Sequence, residues 1–150
     1  KGHRYSKTIP KQYTVFDNEL IINYSLKIFS EIKTIKKIIL VINKPQFTKF
    51  KDRVYRNKKI TIIQGGKERK DSVFLALSRL QRANYKKVLI HDAARPFLKK
   101  ILINKIIKFH LENFVDKGDI QVSVLTNQYR TVHGSNVYTK TKLLMLNLQI

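Results

Sequence analysis

A three-layer α/β sandwich around a mostly parallel sheet is the fold class that this sequence predicts, on three observations. Aliphatic runs at residues 38–42 (Ile-Ile-Leu-Val-Ile) and 88–90 (Val-Leu-Ile), with Ile-Thr-Ile-Ile at 60–63, have the composition of core strands, and the first reads as a strand covered on both faces. Stretches with helical periodicity separate these runs, which implies crossover connections and parallel pairing. Each run is followed by residues that end a strand: Asn43-Lys44-Pro45, Gln64-Gly65-Gly66 and His91-Asp92.

Taken in order, residues 2–13 are rich in Gly, Ser, Thr, Pro and Lys, lack periodicity and read as a phosphate-facing loop. Gly2 allows close backbone approach to an anion, Arg4 and Lys11 supply charge, and Pro10 stiffens the approach to Lys11. A flexible basic terminus is the competing reading. Residues 20–32 read as a core-packing helix with Leu20, Ile21, Tyr24, Ile28 and Ile32 near one face. The strand at 38–42 follows, then a short helix over 47–56 and a strand over 59–63. Gly65 and Gly66 lead into a helix over 73–80, with Asp71 or Ser72 as its N-cap. After the strand at 88–90, residues 98–114 read as a lysine-dotted helix with Ile103, Ile106, Ile107 and His110 toward the core, and 120–125 as a further strand. From Thr126 the periodicity fades. Residues 1–125 are therefore expected to carry the folded unit, and 126–150 a divergent tail, frameshifted or disordered.

Composition narrows the function classes. At 150 residues the chain suits one domain, and without cysteine it has neither disulfides nor thiolate metal sites. The histidines His3, His91, His110 and His133 lack the spacing of a zinc site. No apolar run approaches the ~20 residues of a membrane span. The chain starts at Lys1 without an apolar signal segment, and is read as soluble, incomplete at its start, and cytoplasmic or housed in a plastid-type organelle. Its net charge of +21 points to an anionic partner. The lysines are scattered in short pairs such as Lys36-Lys37, Lys58-Lys59 and Lys99-Lys100, with no stripe interleaved with aromatics. That pattern favours an enzyme of phosphorylated ligands over a nucleic-acid-binding domain. Abundant Lys, Ile and Asn also fit an AT-rich coding sequence.

Two places offer chemistry. Asp92 stands at the carboxyl end of a core strand, where open α/β sheets bind ligands, with Arg95 close by. A carboxylate there holds Mg²⁺, and a guanidinium forks onto a phosphate. The competing reading makes Asp92 a turn or cap residue, His91 a satisfied core histidine and Arg95 a solvated charge. At Gly65-Gly66 a strand, a glycine turn and a helix start form a corner whose backbone N–H groups face outward.

Three stretches carry a resemblance. His91-Asp-Ala-Ala-Arg-Pro-Phe97, Gly2-His-Arg-Tyr-Ser-Lys-Thr-Ile-Pro-Lys-Gln-Tyr13 and Gly65-Gly-Lys-Glu-Arg-Lys-Asp-Ser-Val73 resemble signatures of the 2-C-methyl-D-erythritol 4-phosphate cytidylyltransferases of isoprenoid precursor synthesis. They occur in the family's order across roughly the first hundred residues. The resemblance implies a Rossmann-like fold of the nucleotide-diphospho-sugar transferase type. It also implies the conversion of CTP and methylerythritol phosphate into CDP-methylerythritol and pyrophosphate, with Mg²⁺ or another divalent cation. By the same resemblance Arg4 and Lys11 stabilise the transition state. Gly2, Lys11, Gly65, Gly66, Arg69, Ser72 and Asp92 contact CTP, the Gly66 backbone and Ser72 hydroxyl reading the cytosine. Asp92 lies near the metal, Arg95 on the acceptor side, and a homodimer is the family expectation.

The chain also departs from the family's pattern. The Ala-Ala-Gly run and first strand are missing, which leaves a core strand position empty and the triphosphate cradle half built. Thr126-Asn-Gln-Tyr-Arg130 does not reproduce the family's Asp-Thr-Ile-Lys-like element, and neither the dimerising β-arm nor the terminal lysine is recognisable. The chain as given is therefore expected not to turn over. A ribitol 5-phosphate cytidylyltransferase, a nonfunctional remnant and a basic nucleic-acid-binding domain are the alternatives. Ala93-Ala94 and Tyr13 lean toward methylerythritol phosphate over ribitol phosphate.

Overall fold

The computed structural model describes residues 9–83, 87–112, 121–125, 130–131 and 143–148, with side chains placed over 9–83 and 87–109. The chain enters through a 3-10 turn at Lys11–Tyr13 and a two-stranded hairpin, β1 (Val15–Phe16) and β2 (Glu19–Leu20). Sequence reading misses this hairpin. Its local signal is Asp17-Asn18, the two residues whose φ values of 48° and 61° form the turn. Asn and Asp tolerate that left-handed region, and a tight hairpin needs it at both central positions.

Helix α1 (Ile21–Glu31) follows directly, and its core face differs from the expected one. Ile22, Leu26 and Phe29 are buried together with Ser25 and Ser30, whereas Ile21, Tyr24 and Ile28 are only half-buried. Apolar residues occupy both candidate faces at helical spacing, and the small serines on the true face look like solvent positions in the sequence. Asn23 is buried and satisfied: its amide donates to Glu19 at 2.6 Å, and its oxygen accepts the Tyr55 N–H at 2.7 Å. Lys59 Nζ reaches the carbonyls of Ser30 and Ile32, both at 2.8 Å. A cation there complements the negative end of α1.

The main sheet contains β3 (Ile35–Ile42), β4 (Ile60–Gln64), β5 (Lys87–Asp92), β6 (Gln121–Leu125), β7 (Arg130–Thr131) and β8 (Leu143–Leu148), in the spatial order β4-β3-β8-β5-β6-β7. The pairs β3–β4 and β5–β6 are parallel, with Ile38 opposite Ile60 and Val88 opposite Val122. Between these pairs lies β8, antiparallel to both neighbours, with Leu146 opposite Ile38 on one side and Leu89 on the other. The four strands β3 to β6 therefore share one direction, as expected. The place between β3 and β5 is thus filled by backbone from residues 143–148, which lie within the stretch expected to be a divergent tail. Leu143–Leu148 is almost wholly aliphatic, and burying its backbone requires a strand that satisfies every N–H and C=O.

Helix α2 (Lys44–Phe50) lies earlier than the expected 47–56. Pro45 looks like a terminator in the sequence, but it sits in the first turn, where its missing N–H breaks no helical bond. Phe50 ends the helix by stacking on Tyr13, ring centroids 4.4 Å apart. Helices α3 (Arg69–Arg82) and α4 (Lys100–Glu112) complete the layers. One cluster packs α1 and α4 against Ile38, Leu40, Ile42 and Leu89, using Ile103 and Ile107 as expected. The other packs Val73, Ala76 and Leu80 of α3 against Ile39, Val41, Ile63, Val88 and Ile90. Alternate strand residues thus feed opposite layers, and each fully buried Leu, Ile or Phe contributes about 1.5–3 kcal/mol. Among the described residues no helix is long and apolar enough to cross a membrane. The His110 side chain and the loop preceding Ile9 lie outside the described residues.

Candidate active site

The carboxyl ends of β4 and β5 open at the same end of the sheet, where an open α/β sheet has its ligand crevice, and the charge of Asp92 acts on Arg69, three residues past Gly66. The Gly65 N–H donates to the Ile42 carbonyl at 2.7 Å and carries the β3–β4 pairing one residue past the strand. A Cβ on Gly65 would lie 2.5 Å from Ser72 Oγ and 3.0 Å from Val41 Cγ1, and one on Gly66 would lie 2.3 Å from Asp71 Cβ. Both glycines are thus required by close approach. Gly66→Ala is expected to force Asp71 out of the first turn of α3 and to cost about 1–3 kcal/mol. Thermal unfolding checks this, and an unchanged midpoint would contradict the packing.

Asp71 and Ser72 are both candidates for the helix cap in the sequence, but the N-cap is Glu68. Asp71 Oδ2 reaches back to the Glu68 N–H at 2.8 Å from the third helical position. The Ser72 hydroxyl turns to the glycine loop instead, accepting from the Gly66 N–H at 3.2 Å and donating to the Glu68 carbonyl at 3.3 Å. The two groups expected to read a base are therefore bonded to each other. A base edge that offers both a donor and an acceptor can replace that mutual bond without leaving either group unpaired.

Across the crevice, Asp92 closes a turn. Its Oδ1 accepts the Ala94 N–H at 3.0 Å, and its carbonyl accepts the Arg95 N–H at 3.0 Å. Oδ2 is left 3.6 Å from Arg95 Nε, with the Asp92 side chain 16% exposed and that of Arg95 42% exposed. The turn role and the ligand role of Asp92 are thus compatible, because they use different oxygens. Arg69 points inward from the start of α3, with Nε and Nη1 buried and without a hydrogen-bond partner. Burial pushes its pKa down, and the charge of Asp92 pushes it up. A partly buried guanidinium with two unpartnered nitrogens, within the electrostatic reach of a carboxylate, is suited to a phosphate or to a metal-bridged anion.

His91 precedes Asp92 and faces the opposite layer. Its Nε2 lies 3.1 Å from the Arg95 carbonyl and 3.4 Å from Ser25 Oγ, while Phe29 packs edge-on at 5.2 Å. Burial pushes its pKa from 6.5 down to about 4, against the raising effects of the Arg95 carbonyl and Asp92. Between these values the unfolded chain binds a proton that the folded chain does not, so stability is full above pH 6.5 and falls as the pH drops toward 4. The loss expected is at most about 3 kcal/mol. Urea midpoints measured between about pH 7 and pH 4 check it, and His91→Phe should flatten that part of the profile.

Lys11 is exposed at the start of the 3-10 turn, and among the described residues no hydrogen bond or ion pair joins it to Gly65, Gly66, Arg69, Asp92 or Arg95. Gly2 and Arg4 lie outside the described residues. The structure thus gathers Gly65, Gly66, Arg69, Ser72, Asp92 and Arg95 at the carboxyl ends of β4 and β5, and records no hydrogen bond or ion pair from Lys11 to any of them. Among the described residues no group of three His, Cys, Asp or Glu gathers at one place. One carboxylate, whose Oδ2 is held only by the 3.6 Å ion pair with Arg95, fits Mg²⁺ held jointly by protein and substrate phosphates, and does not fit a cage built from protein alone.

Sequence reading misses Ser25, a buried hydroxyl beside His91, for which nothing local distinguishes it from a surface serine. It also misses a ring cluster in which Phe97 meets residues of β1 and α1. Phe97, 74% exposed, meets Phe16 edge-on at 5.6 Å and lies 6.2 Å from Tyr24.

Comparison with known proteins bears on the family and the fold. The family model for 2-C-methyl-D-erythritol 4-phosphate cytidylyltransferase matches residues 1–143, well beyond the limit near 125 set by motif reading. The protein of that name from Wigglesworthia glossinidia brevipalpis is 39% identical over 107 residues, covering 71% of this chain and 46% of the relative. A bifunctional IspD/IspF enzyme from Pelagibacter ubique is 31% identical over 143 residues, 92% of this chain and 38% of the relative. The crystal structure of a 4-diphosphocytidyl-2C-methyl-D-erythritol synthase from Anaerococcus prevotii matches with a TM-score of 0.60 at 22% identity, covering 95% of this chain and 66% of that one, which supports the fold. The chain spans about half the length of most of the curated relatives it matches.

Proposed function

Because the chain belongs to the 2-C-methyl-D-erythritol 4-phosphate cytidylyltransferase family, we propose that it transfers a cytidylyl group from CTP to 2-C-methyl-D-erythritol 4-phosphate and releases pyrophosphate. The observation that supports this best is the convergence of the Gly66–Ser72 corner, the unpartnered Arg69 guanidinium and the Asp92 carboxylate at one end of the sheet. The Gly66 N–H and Ser72 hydroxyl exchange their mutual bond for the cytosine edge. Arg69 meets the phosphates from inside the crevice, and Arg95 takes the acceptor phosphate from its exposed side. The acceptor's phosphate oxygen, already ionised near neutral pH, attacks the α-phosphorus in line with the departing pyrophosphate, so no general base is required.

What remains is charge stabilisation. Arg4 and Lys11 face the negative charge that develops on the five-coordinate phosphorus, where preorganised cations act most strongly. Asp92 would hold Mg²⁺ together with the substrate phosphates, and the ion would supply Lewis acidity there. A homodimer and a cytoplasmic or plastid-type setting complete the reading. Calorimetric titration with Mg²⁺ and CTP, UTP or ATP tests the nucleotide site, and product analysis with methylerythritol phosphate or ribitol phosphate tests the acceptor. Equal affinity for all three nucleotides would overturn the cytosine assignment, and a preference for ribitol phosphate would overturn the acceptor.

A further inference from the structure

We propose that His91 and Ser25 are positioning residues that hold the Asp92–Arg95 turn in its ligand-ready shape by gripping the Arg95 carbonyl from within the core. The inference rests on the reading of that turn as part of the CTP site. Three polar atoms, two from the end of β5 and the turn after it and one from α1, meet at one point. His91 Nε2 is 3.1 Å from the Arg95 carbonyl oxygen, Ser25 Oγ is 3.3 Å from the same oxygen, and the two side chains are 3.4 Å apart. A carbonyl only accepts, so Nε2 carries the imidazole proton, and the serine hydroxyl donates into the second lone pair.

The arrangement couples two layers. Strand alternation sends the His91 side chain toward α1 and that of Asp92 toward the Arg69 side. Adjacent residues therefore act on opposite faces of the turn. Asp92 presents its carboxylate to the crevice, while His91 ties the end of the same turn to the interior. Asp92 fastens the outside of the turn through the Ala94 and Arg95 N–H groups, both at 3.0 Å. Ser25 and Phe29, both on α1, set the height and plane of the imidazole from the other side.

A core-filling role alone does not account for the imidazole. His91 is 1% exposed, and its Nδ1 is buried without a partner, a cost that phenylalanine or leucine would not incur. What the imidazole adds over those residues is one donor aimed at the Arg95 carbonyl.

Amide hydrogen exchange and calorimetry on this chain test the proposal. His91→Phe keeps the ring volume and removes the donor, whereas His91→Gln places an amide N–H near the position of Nε2. In His91→Phe the Ala94 and Arg95 amides are expected to exchange about tenfold faster and Mg²⁺–CTP to bind about tenfold more weakly, with central β3 amides unchanged. His91→Gln is expected to restore most of both effects. Ser25→Ala gives an independent reading, with the same two amides accelerated to a smaller extent. Unchanged exchange at Ala94 and Arg95 in His91→Phe and Ser25→Ala overturns the clamp, as does acceleration spread over the whole chain that His91→Gln fails to repair. If the two amides respond as expected while CTP binds to none of the proteins, the clamp stands and the proposed function falls.

Discussion

Leu146→Pro is expected to unfold the chain or to cost at least about 3 kcal/mol, the largest single-residue effect the fold implies. Leu146 pairs with Ile38 on one side and Leu89 on the other, so its strand has no free edge. Proline removes one backbone donor and its ring disturbs the pairing around it, which is why central strands exclude it. Here the damage spreads further, because among the described strands β8 is the one that joins the β3–β4 pair to the β5–β6 pair. Urea unfolding followed by circular dichroism measures the effect. A midpoint near that of the parent chain would show that residues 143–148 do not occupy the centre of the sheet.

Lys11→Ala carries the second large effect, on chemistry and not on folding. The side chain is exposed and makes no hydrogen bond or ion pair among the described residues, so its removal should leave the unfolding midpoint nearly unchanged. If Lys11 closes on the transition state as proposed, turnover by a chain of the family's full length falls on the order of a hundredfold, about 3 kcal/mol, while CTP affinity changes much less. Single-turnover rates set beside equilibrium CTP titrations separate the two. Equal losses in both would make Lys11 a ground-state phosphate ligand, and no loss in either would remove it from the site.

The sequence is informative where chemistry and backbone geometry depend on the same residues. Gly65 and Gly66 are needed both to turn out of β4 and to approach Ser72 and Asp71, and the Asp92 strand end is marked by the abrupt change from Val88-Leu-Ile90 to His91-Asp92. It misleads where two patterns compete. Helix α1 carries apolar residues on two overlapping faces, and only the packing of Ser25 and Ser30 shows which is inward. Pro45 is equally compatible with ending a strand and with opening a helix, and the structure uses it for the latter. The central place of β8 is not legible at all, since an aliphatic hexapeptide carries no information about which strands it will separate. Ser25 shows the same limit in the site, because its role depends on a histidine 66 residues away.

The insertion of β8 between β3 and β5 also shapes how the chain reaches its native state. Local contacts suffice to assemble β3, β4 and α3, but the seam between the halves closes only when Leu146 meets Ile38, partners more than a hundred positions apart. Long-range pairing of this kind is slow, because the entropy of closing the intervening chain is lost before the contacts are gained. Until it happens, two aliphatic strands present unpaired edges that suit a neighbouring molecule as well as they suit β8. Refolding yield should therefore fall steeply with protein concentration even where equilibrium stability is ample, and a chain arrested before closure should associate edge to edge.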